Sequence, residues 1–390
     1  MTPTDAGALR RRLADELQAS GVIRTPAWRA AVEHVSRHEF LREGLFEPVD
    51  GDGPTRWRPV SSGGDPEAWL AACYADETHV TQLDGATVPS DVSGVVAGVP
   101  SSSSTLPGLV VRMLEDLDVE PGMRVLEIGT GSGYSTALMC DRLGPDLVTS
   151  IELDPAVGAQ ARVGLERVGY APRLVIGDGL AGHEDGAPYD RLIATCSVRR
   201  IPPAWLRQVR PGGIILVTVT GWLYTCALAR LTVAANDTAE GEFLTDDVSF
   251  MIARPQAPPG NMQIPGPDEG AERTARVGPA VLDDWTSRFV AQCAAPWAQH
   301  ARMSLHEAPI ADYLIDARSN AFAIVQRQPH GAATVRQGGT PRLWDDIENA
   351  VLGWQATGAP PIDQFRICVT PDEQTVSLDT DRGQLVLPLR

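Results

Sequence analysis

Apolar and polar positions alternate along residues 125–219 in the rhythm of strands followed by helices. Short apolar runs predict buried strands at 125–128, 147–152, 173–178, 189–195 and 214–219. Helical patterns fill most of the intervals, at 135–143, 155–168 and 202–209. Strands that alternate with helices of these lengths predict a parallel sheet with helices on both faces. The sequence therefore predicts an α/β, Rossmann-like fold.

The N-terminal region predicts helices before this sheet. Leu9, Leu13 and Leu17 share one helical face within residues 7–20, and a second helix begins at Pro26. Beyond these helices the pattern is less regular.

Residues 44–70 are rich in Gly, Pro and Asp and predict a loop or a variable insertion. A short strand is predicted at 74–80. The serine-rich stretch 101–107 predicts another polar loop, and Pro107 then begins a helix.

Proline and glycine crowd residues 255–272, which predict a linker. Short alternating runs follow it, with one clear helix at 343–357, and predict a small α+β domain. We therefore expect an N-terminal helical and loop region, a cofactor-binding domain, a linker and a C-terminal domain, at residues 1–100, 101–254, 255–272 and 273–390.

The amino-acid composition limits the classes of binding partner that we expect for this chain. Lys and Arg number 33 against 50 Asp and Glu, a net charge of −17. This balance argues against a nucleic-acid partner, because such binding depends on basic contacts to phosphate. No apolar run reaches the roughly 18 residues that span a bilayer, and the first residues lack the form of a signal peptide. We expect a cytoplasmic protein without a membrane partner.

The sequence predicts no metal site. The six cysteines are widely scattered, and only His34 and His38 among the histidines have a four-residue spacing. No Glu lies where a zinc hydrolase needs one, and no Gly-x-Ser-x-Gly turn supports serine-nucleophile chemistry.

The strongest chemical signal is a glycine loop after the strand at 125–128. Gly129, Gly131 and Gly133 occupy alternate positions, and Glu127 lies inside the preceding apolar run. Such glycines allow a tight turn and a close approach of a nucleotide-type cofactor. Glu152 follows Gly133 by 19 residues, where an acid holds ribose hydroxyls.

Asp178, after the third strand, could accept a hydrogen bond from an adenine amino group. An NAD-binding sheet is the alternative, but the crowded glycines and Glu127 favour S-adenosylmethionine. We expect the cofactor to contact Glu127, Gly129, Thr130, Gly131, Ser132, Gly133, Tyr134, Glu152, Leu153, Asp178 and Gly179.

The glycine loop resembles motif I of S-adenosylmethionine-dependent methyltransferases. Over about residues 9–254 the chain resembles the protein L-isoaspartyl O-methyltransferases. The resemblance rests on the glycine loop, Ala31-Val-Glu-His-Val-Ser-Arg-His-Glu-Phe40, Tyr74-Ala-Asp76, Ser103-Ser-Thr-Leu-Pro107, Gly177-Asp-Gly179 and Val209-Arg-Pro-Gly-Gly213. It implies a carboxyl O-methyltransferase that converts S-adenosyl-L-methionine to S-adenosyl-L-homocysteine.

By the same resemblance, a hydroxyl in the serine-rich loop orients the acceptor carboxylate. The aligned residue is Thr105, where the family usually has Ser, and Ser104 or Ser103 could substitute for it. The alternative is a flexible loop without a role. A carboxylate is already nucleophilic at neutral pH, so alignment rather than a general base is needed.

The region after the linker departs from repair-type family members, which end soon after the sheet. The whole arrangement resembles family variants found with ribosomally made, modified peptides, namely lanthipeptides and ATP-grasp-crosslinked peptides. Residues 338–348 and Trp354 carry this resemblance. It implies methylation of an Asp in a macrocyclised precursor peptide, and an ester that forms an aspartimide or isoaspartate.

We expect the C-terminal domain to bind that peptide, with Trp344, Trp354, Arg336 and Arg342 as candidate contacts. For each of these residues taken singly, the favoured interpretation is that the indoles belong to the core and the arginines are solvated. Alternatives for the whole chain are general repair of isoaspartyl proteins, methylation of a small molecule, and a catalytically idle cofactor-binding scaffold.

Overall fold

The computed structural model describes residues 5–49, 51, 53–244, 248–260, 262–305, 308–327 and 333–390. The chain forms two compact units. The first unit comprises Met1–Thr195 and Arg207–Leu216, and the second comprises Cys196–Leu206 and Val217–Arg390.

The first unit contains the predicted N-terminal helices and most of the parallel sheet. Its helices are α1 (Ala6–Ala19), α2 (Pro26–His34), α3 (Pro66–Cys73), α4 (Pro107–Leu117), α5 (Tyr134–Leu143) and α6 (Pro155–Arg167). Its strands are β1 (Leu45–Val49), β2 (Arg56–Val60), β3 (His79–Leu83), β4 (Val96–Ala97), β5 (Pro100–Ser104), β6 (Val125–Ile128), β7 (Val148–Glu152) and β8 (Arg173–Ile176). Segments of both units contribute to β9 (Tyr189–Val198), α7 (Pro203–Gln208) and β10 (Val209–Val219).

Parallel pairing organises the core of the first unit. Strand β6 pairs in parallel with β7 and with β9, and β7 pairs in parallel with β8. The order within this unit is β10-β9-β6-β7-β8. Parallel strands end at the same edge of a sheet, so the loops after β6, β7 and β8 lie close together. The predicted α/β fold is confirmed.

A second sheet of the first unit was not predicted. Its strands follow the order β4-β2-β1-β3-β5 around a cluster of Phe46, Trp57, Val80 and Leu83. The loop predicted at 44–70 is therefore wrong, because it contains β1, β2 and α3. Prolines within β1 and β2 and the polar residues between them hid the hairpin.

The loop predicted at 101–107 is partly wrong, since its serines form most of edge strand β5. An edge strand that is half buried tolerates polar side chains, so its composition resembles that of a loop. The strand predicted at 74–80 begins only at His79.

The second unit contains α8 (Trp285–Ala294), α9 (Leu343–Ala356) and the remaining strands. These are β11 (Ala227–Val233), β12 (Ala239–Phe243), β13 (Ala271–Thr274), β14 (Ala298–Met303), β15 (Ala311–Asp316), β16 (Phe322–Arg327), β17 (Ala333–Gly338), β18 (Arg366–Val369), β19 (Gln374–Thr380) and β20 (Gly383–Pro388). One sheet follows the order β10-β11-β12-β18-β19-β20, and the other follows β13-β17-β16-β15-β14.

The domain boundary differs from the predicted linker. Strand β12 precedes residues 255–272 and β18 follows them, yet the two pair with Ala239 opposite Val369. Both sides of the segment therefore belong to one compact unit. Antiparallel partners distant in sequence leave no local signal, which explains the error.

The two tryptophans of α9 are core residues. Trp344 is fully buried and donates its indole N–H to the Val277 carbonyl at 3.3 Å. Trp354 is also buried and donates to the Pro360 carbonyl at 3.0 Å. Both indoles therefore belong to the core, which is the interpretation that the sequence favours for each of them taken singly.

None of the helices in the described part of the chain is long and apolar enough to cross a membrane. Within those residues, His, Cys, Asp and Glu form no group of three or more that could hold a metal ion.

A buried carboxylate joins β13 to α9. Glu348 is fully buried, and its oxygens accept bonds from the Arg273 guanidinium at 3.1 and 2.8 Å. The backbone N–H and Nε of Arg276 donate to it at 2.6 and 2.9 Å. Burial raises the pKa of Glu348, but these arginine bonds outweigh it and lower the pKa overall.

We expect Glu348→Ala to destabilise the second unit by about 2–4 kcal/mol at neutral pH, since it removes charged hydrogen bonds from a buried site. Because the folded pKa is lowered, the stabilisation is complete above the unfolded pKa and is lost as pH falls through the folded pKa. Urea unfolding above the unfolded pKa and below the folded pKa measures the free energy of unfolding of the variant and of the wild type. Glu242→Ala, which breaks an exposed pair with Arg366, is the control, and an equal effect of both variants would contradict the assignment.

Candidate active site

The glycine loop joins β6 to α5 through left-handed backbone. Gly129, Gly131 and Gly133 have φ values of 91°, 54° and 95°, which residues with a Cβ rarely adopt. The N–H groups of Gly129 and Thr130 donate to the Ile151 carbonyl of β7 at 2.8 and 3.1 Å. The loop is thus fixed to the neighbouring strand, at the start of a helix whose N–H groups favour an anionic or polar ligand.

The side chains beside the glycines support the loop from behind. Thr130 is buried, and its hydroxyl bonds that of Ser150 at 2.6 Å. Tyr134 is buried at the first turn of α5, and burial raises its pKa to about 12. Ser132 is half-buried. Of these predicted contacts, Thr130 and Tyr134 have only their backbone available to a cofactor.

Glu127 is satisfied by the protein itself. It is fully buried and accepts hydrogen bonds from the hydroxyls of Ser135, Thr136 and Ser150 at 2.5, 2.5 and 2.6 Å. Burial raises its pKa, and the three hydroxyl donors only partly oppose this shift. Glu127 therefore fastens β6 to α5 and β7, which places its role beneath the loop rather than in direct contact.

Glu152 lies where the sequence predicts a ribose acceptor. One carboxylate oxygen accepts from the Gly131 N–H at 2.9 Å, and the other accepts from the Asp154 N–H at 3.0 Å. Each carboxylate oxygen can accept a further bond, so both remain available to hydroxyl donors. The side chain is 8 % exposed at the end of β7.

Apolar and acidic groups complete this edge of the sheet. Leu153 and Ile176 are exposed by 37 % and 45 %, and Ile176 lies opposite Glu152 in the β7–β8 register. Exposed Asp178 accepts from the Leu180 N–H at 2.9 Å, while Gly179 packs against the side chain of Ile128. A hydroxyl acceptor, flat apolar surface and an amino-group acceptor form the set that an adenosine moiety requires.

The serine-rich loop lies next to the glycine loop. A Cβ built on Gly131 would be 3.5 Å from the Ser103 carbonyl oxygen. Ser104 is only 2 % exposed, whereas Ser103 and Thr105 are half-buried. Of the three predicted hydroxyls, those of Ser103 and Thr105 are therefore the accessible candidates.

Sequence reasoning missed three residues that hold these loops. The Thr195 hydroxyl, in β9, donates to the carbonyls of Ile128, at 3.2 Å, and Gly129. Asp76 accepts from the Gly108 N–H at 2.6 Å at the start of α4. Fully buried Arg37 donates to backbone carbonyls around the serine-rich loop. The stretches that contain Arg37 and Asp76 belonged to the family resemblance, but their pattern gave no sign of these partners.

Comparisons with known proteins agree with this geometry. Residues 91–250 match the family model described as protein-L-isoaspartate(D-aspartate) O-methyltransferase. The protein-L-isoaspartate O-methyltransferase of Methanopyrus kandleri is 30 % identical over 213 residues, which cover 54 % of this chain and 76 % of that protein. The Hyperthermus butylicus protein of the same name is 40 % identical over 220 residues, which cover 54 % and 74 %.

This chain belongs to the protein-L-isoaspartate O-methyltransferase family. The predicted enzyme class, a carboxyl methyltransferase dependent on S-adenosylmethionine, is confirmed, as is the cofactor. The residues at the carboxyl edge of β6, β7 and β8 fit that cofactor by their donor and acceptor chemistry.

The fold likeness extends through the second unit. A solved structure described as a protein-L-isoaspartate O-methyltransferase has a TM-score of 0.55 and 20 % identity. The alignment covers 95 % of this chain and 99 % of that one. The aligned residues therefore include the second unit as well as the first.

We expect Glu152→Ala to weaken binding of S-adenosyl-L-homocysteine by at least about 10-fold, because a carboxylate that bonds hydroxyl groups is removed. Isothermal titration calorimetry measures the change. Glu166→Ala, on the exposed face of α6, is the matched control. Unchanged affinity in Glu152→Ala would remove this residue from the site.

We expect Thr105→Val to lower kcat for carboxyl methylation by about 10- to 100-fold without a change in cofactor affinity, since orientation of the acceptor is lost. Ser103→Ala should have a smaller effect, and Ser104→Ala the smallest, because the Ser104 hydroxyl is buried. Steady-state kinetics of the three variants rank the hydroxyls. A dominant effect of Ser104→Ala would reverse this assignment.

Proposed function

We propose that this chain methylates an aspartyl or isoaspartyl carboxylate in a modified, macrocyclised precursor peptide, and that the ester then forms an aspartimide or isoaspartate. The observation that carries the proposal is the approach of the Ser103–Thr105 segment to Gly131 of the cofactor loop. The backbone of Ser103 is close to the glycine loop, and the half-buried state of Ser103 and Thr105 supports a role for their hydroxyls in holding the acceptor. The resemblance of residues 338–348 to peptide-modifying variants supports the choice of substrate.

The chain's own residues bind and align the reactants. Bound S-adenosylmethionine supplies an activated methyl group. Glu152 and the apolar surface of Leu153 and Ile176 hold its nucleoside, and the Thr105 hydroxyl donates a hydrogen bond to one oxygen of the acceptor carboxylate. The other carboxylate oxygen is left as the nucleophile, so no side chain has to remove a proton.

The ester reacts further within the peptide. The nitrogen of the following peptide bond attacks the ester carbonyl and loses its proton, and methanol leaves. The product is a cyclic imide that is one water lighter than the starting peptide. Addition of water to this ring gives an isoaspartyl or aspartyl peptide.

General repair of isoaspartyl proteins is the second candidate function. The sequence similarity to repair-named relatives favours it, as does the fold likeness that covers 95 % of this chain. The two functions share the same cofactor site and the same serine-rich loop at 101–107, which we call the acceptor loop. They differ in the peptide that is accepted.

Mass spectrometry of three substrates distinguishes them. The substrates are a short isoaspartyl peptide and a precursor peptide, encoded near this gene, in linear and crosslinked forms. We expect the crosslinked precursor to gain one methylene unit and then lose methanol, with little turnover of the isoaspartyl peptide. Preferential turnover of the isoaspartyl peptide would establish repair, and a stable methyl group on nitrogen or a hydroxyl would contradict carboxyl methylation.

A further inference from the structure

Arg37 is a buried cation whose partners are main-chain carbonyls. It lies in the tight turn Arg37–Phe40 after α2 and is fully buried. Its guanidinium donates to the carbonyl oxygens of Cys73, Ala75, Glu77, Ser104 and Thr105 at 3.1, 3.0, 3.0, 3.3 and 3.1 Å. It also reaches the Ser104 hydroxyl at 3.4 Å. One side chain thus joins three segments that are distant in sequence.

Arg37 forms no ion pair with a carboxylate of the described residues. Burial lowers the pKa of its guanidinium, but an arginine remains charged in a protein. The carbonyl dipoles therefore replace the solvent around this charge. Arg191 also donates to carbonyls, at Leu117 and Asp118, but it lies within 3.9 Å of the Asp118 carboxylate. Arg191 caps one helix end, whereas Arg37 connects separate segments.

The turn that carries Arg37 also contacts the cofactor loop. A Cβ on Gly133 would lie 3.4 Å from the Phe40 ring, and that ring is 6.2 Å from the ring of Tyr134. The Arg37 guanidinium is 5.8 Å from the same tyrosine ring. Four consecutive residues therefore touch the cofactor loop through Phe40 and the acceptor loop through Arg37.

Arg37 binds residues 73–77, and this segment together with the adjacent Thr78 also forms hydrogen bonds of its own to the acceptor loop and the start of α4. The Thr78 hydroxyl accepts from the Leu106 N–H at 3.0 Å, and Asp76 accepts from the Gly108 N–H at 2.6 Å. Movement of this segment would therefore release Leu106 and Gly108, the residues on both sides of Pro107.

We propose that Arg37 is a positioning residue for methyl transfer. It binds carbonyls of residues 73–77 and of Ser104 and Thr105, and it thereby holds the Ser103–Thr105 hydroxyls in place beside the glycine loop. The inference rests on the proposed role of this loop in holding the acceptor carboxylate. Transfer between two bound groups is sensitive to displacements of about 1 Å. Arg37 therefore affects turnover without contacting either reactant.

The test is Arg37→Lys, which keeps the charge but cannot span five carbonyls with one ammonium group. We expect kcat to fall by about 10- to 100-fold, with an unchanged dissociation constant for S-adenosyl-L-homocysteine. Hydrogen–deuterium exchange should accelerate at residues 101–110 and remain unchanged at 125–137. Arg42→Lys is the matched control, because Arg42 is exposed and pairs with Glu39.

Unchanged exchange at 101–110 in folded Arg37→Lys would overturn the proposal, as would accelerated exchange with unchanged kcat. An equal loss of cofactor affinity and kcat would also overturn it.

Leu106→Gly loosens the loop while Arg37 is retained, and it replaces the first variant where that protein does not fold. We expect lower kcat with unchanged cofactor affinity, and wild-type turnover would overturn the proposal. The exchange readout is independent of substrate, so failure of the wild type to methylate any peptide would reject the proposed function separately.

Discussion

The cofactor loop depends on the buried carboxyl group of Glu127, whose hydrogen-bond donors within the described residues include three side-chain hydroxyls. Glu127 accepts from Ser135 and Thr136 of α5 and from Ser150 of β7, and each bond to a charged group contributes about 1.5–3 kcal/mol. A shift of α5 or β7 would leave this anion short of donors. The glycine backbone is therefore presented by a rigid frame, which lets the cofactor bind without prior ordering of the loop.

Arg37 is the cationic counterpart of this arrangement. The anion is surrounded by hydroxyl donors and the cation by carbonyl acceptors, and each is fully buried. Glu127 joins the elements beneath the cofactor loop, and Arg37 binds the backbone carbonyls of Ser104 and Thr105.

The parallel sheet and the glycine loop could be predicted from the sequence because their physical requirements are local. Strands buried on both faces are continuous apolar runs, and positive φ angles require glycine at 129, 131 and 133. Edge strand β5 could not be predicted, because a run of serines is equally typical of a polar loop. The partners of Arg37 are carbonyls, which every residue possesses, so no side-chain pattern marks them.

The second unit contains the residues that the sequence offered as candidate contacts for a peptide substrate. The fold likeness to a solved structure described as a protein-L-isoaspartate O-methyltransferase covers 95 % of the chain and therefore includes this unit. Its most suggestive aromatic residues, Trp344 and Trp354, are buried and bonded within the unit. Arg336 pairs with Glu272, and Arg342 donates to the Gln337 carbonyl at 3.4 Å. The α9 indoles therefore stabilise the second unit from within, and any contact of this unit with a peptide has to come from its exposed groups.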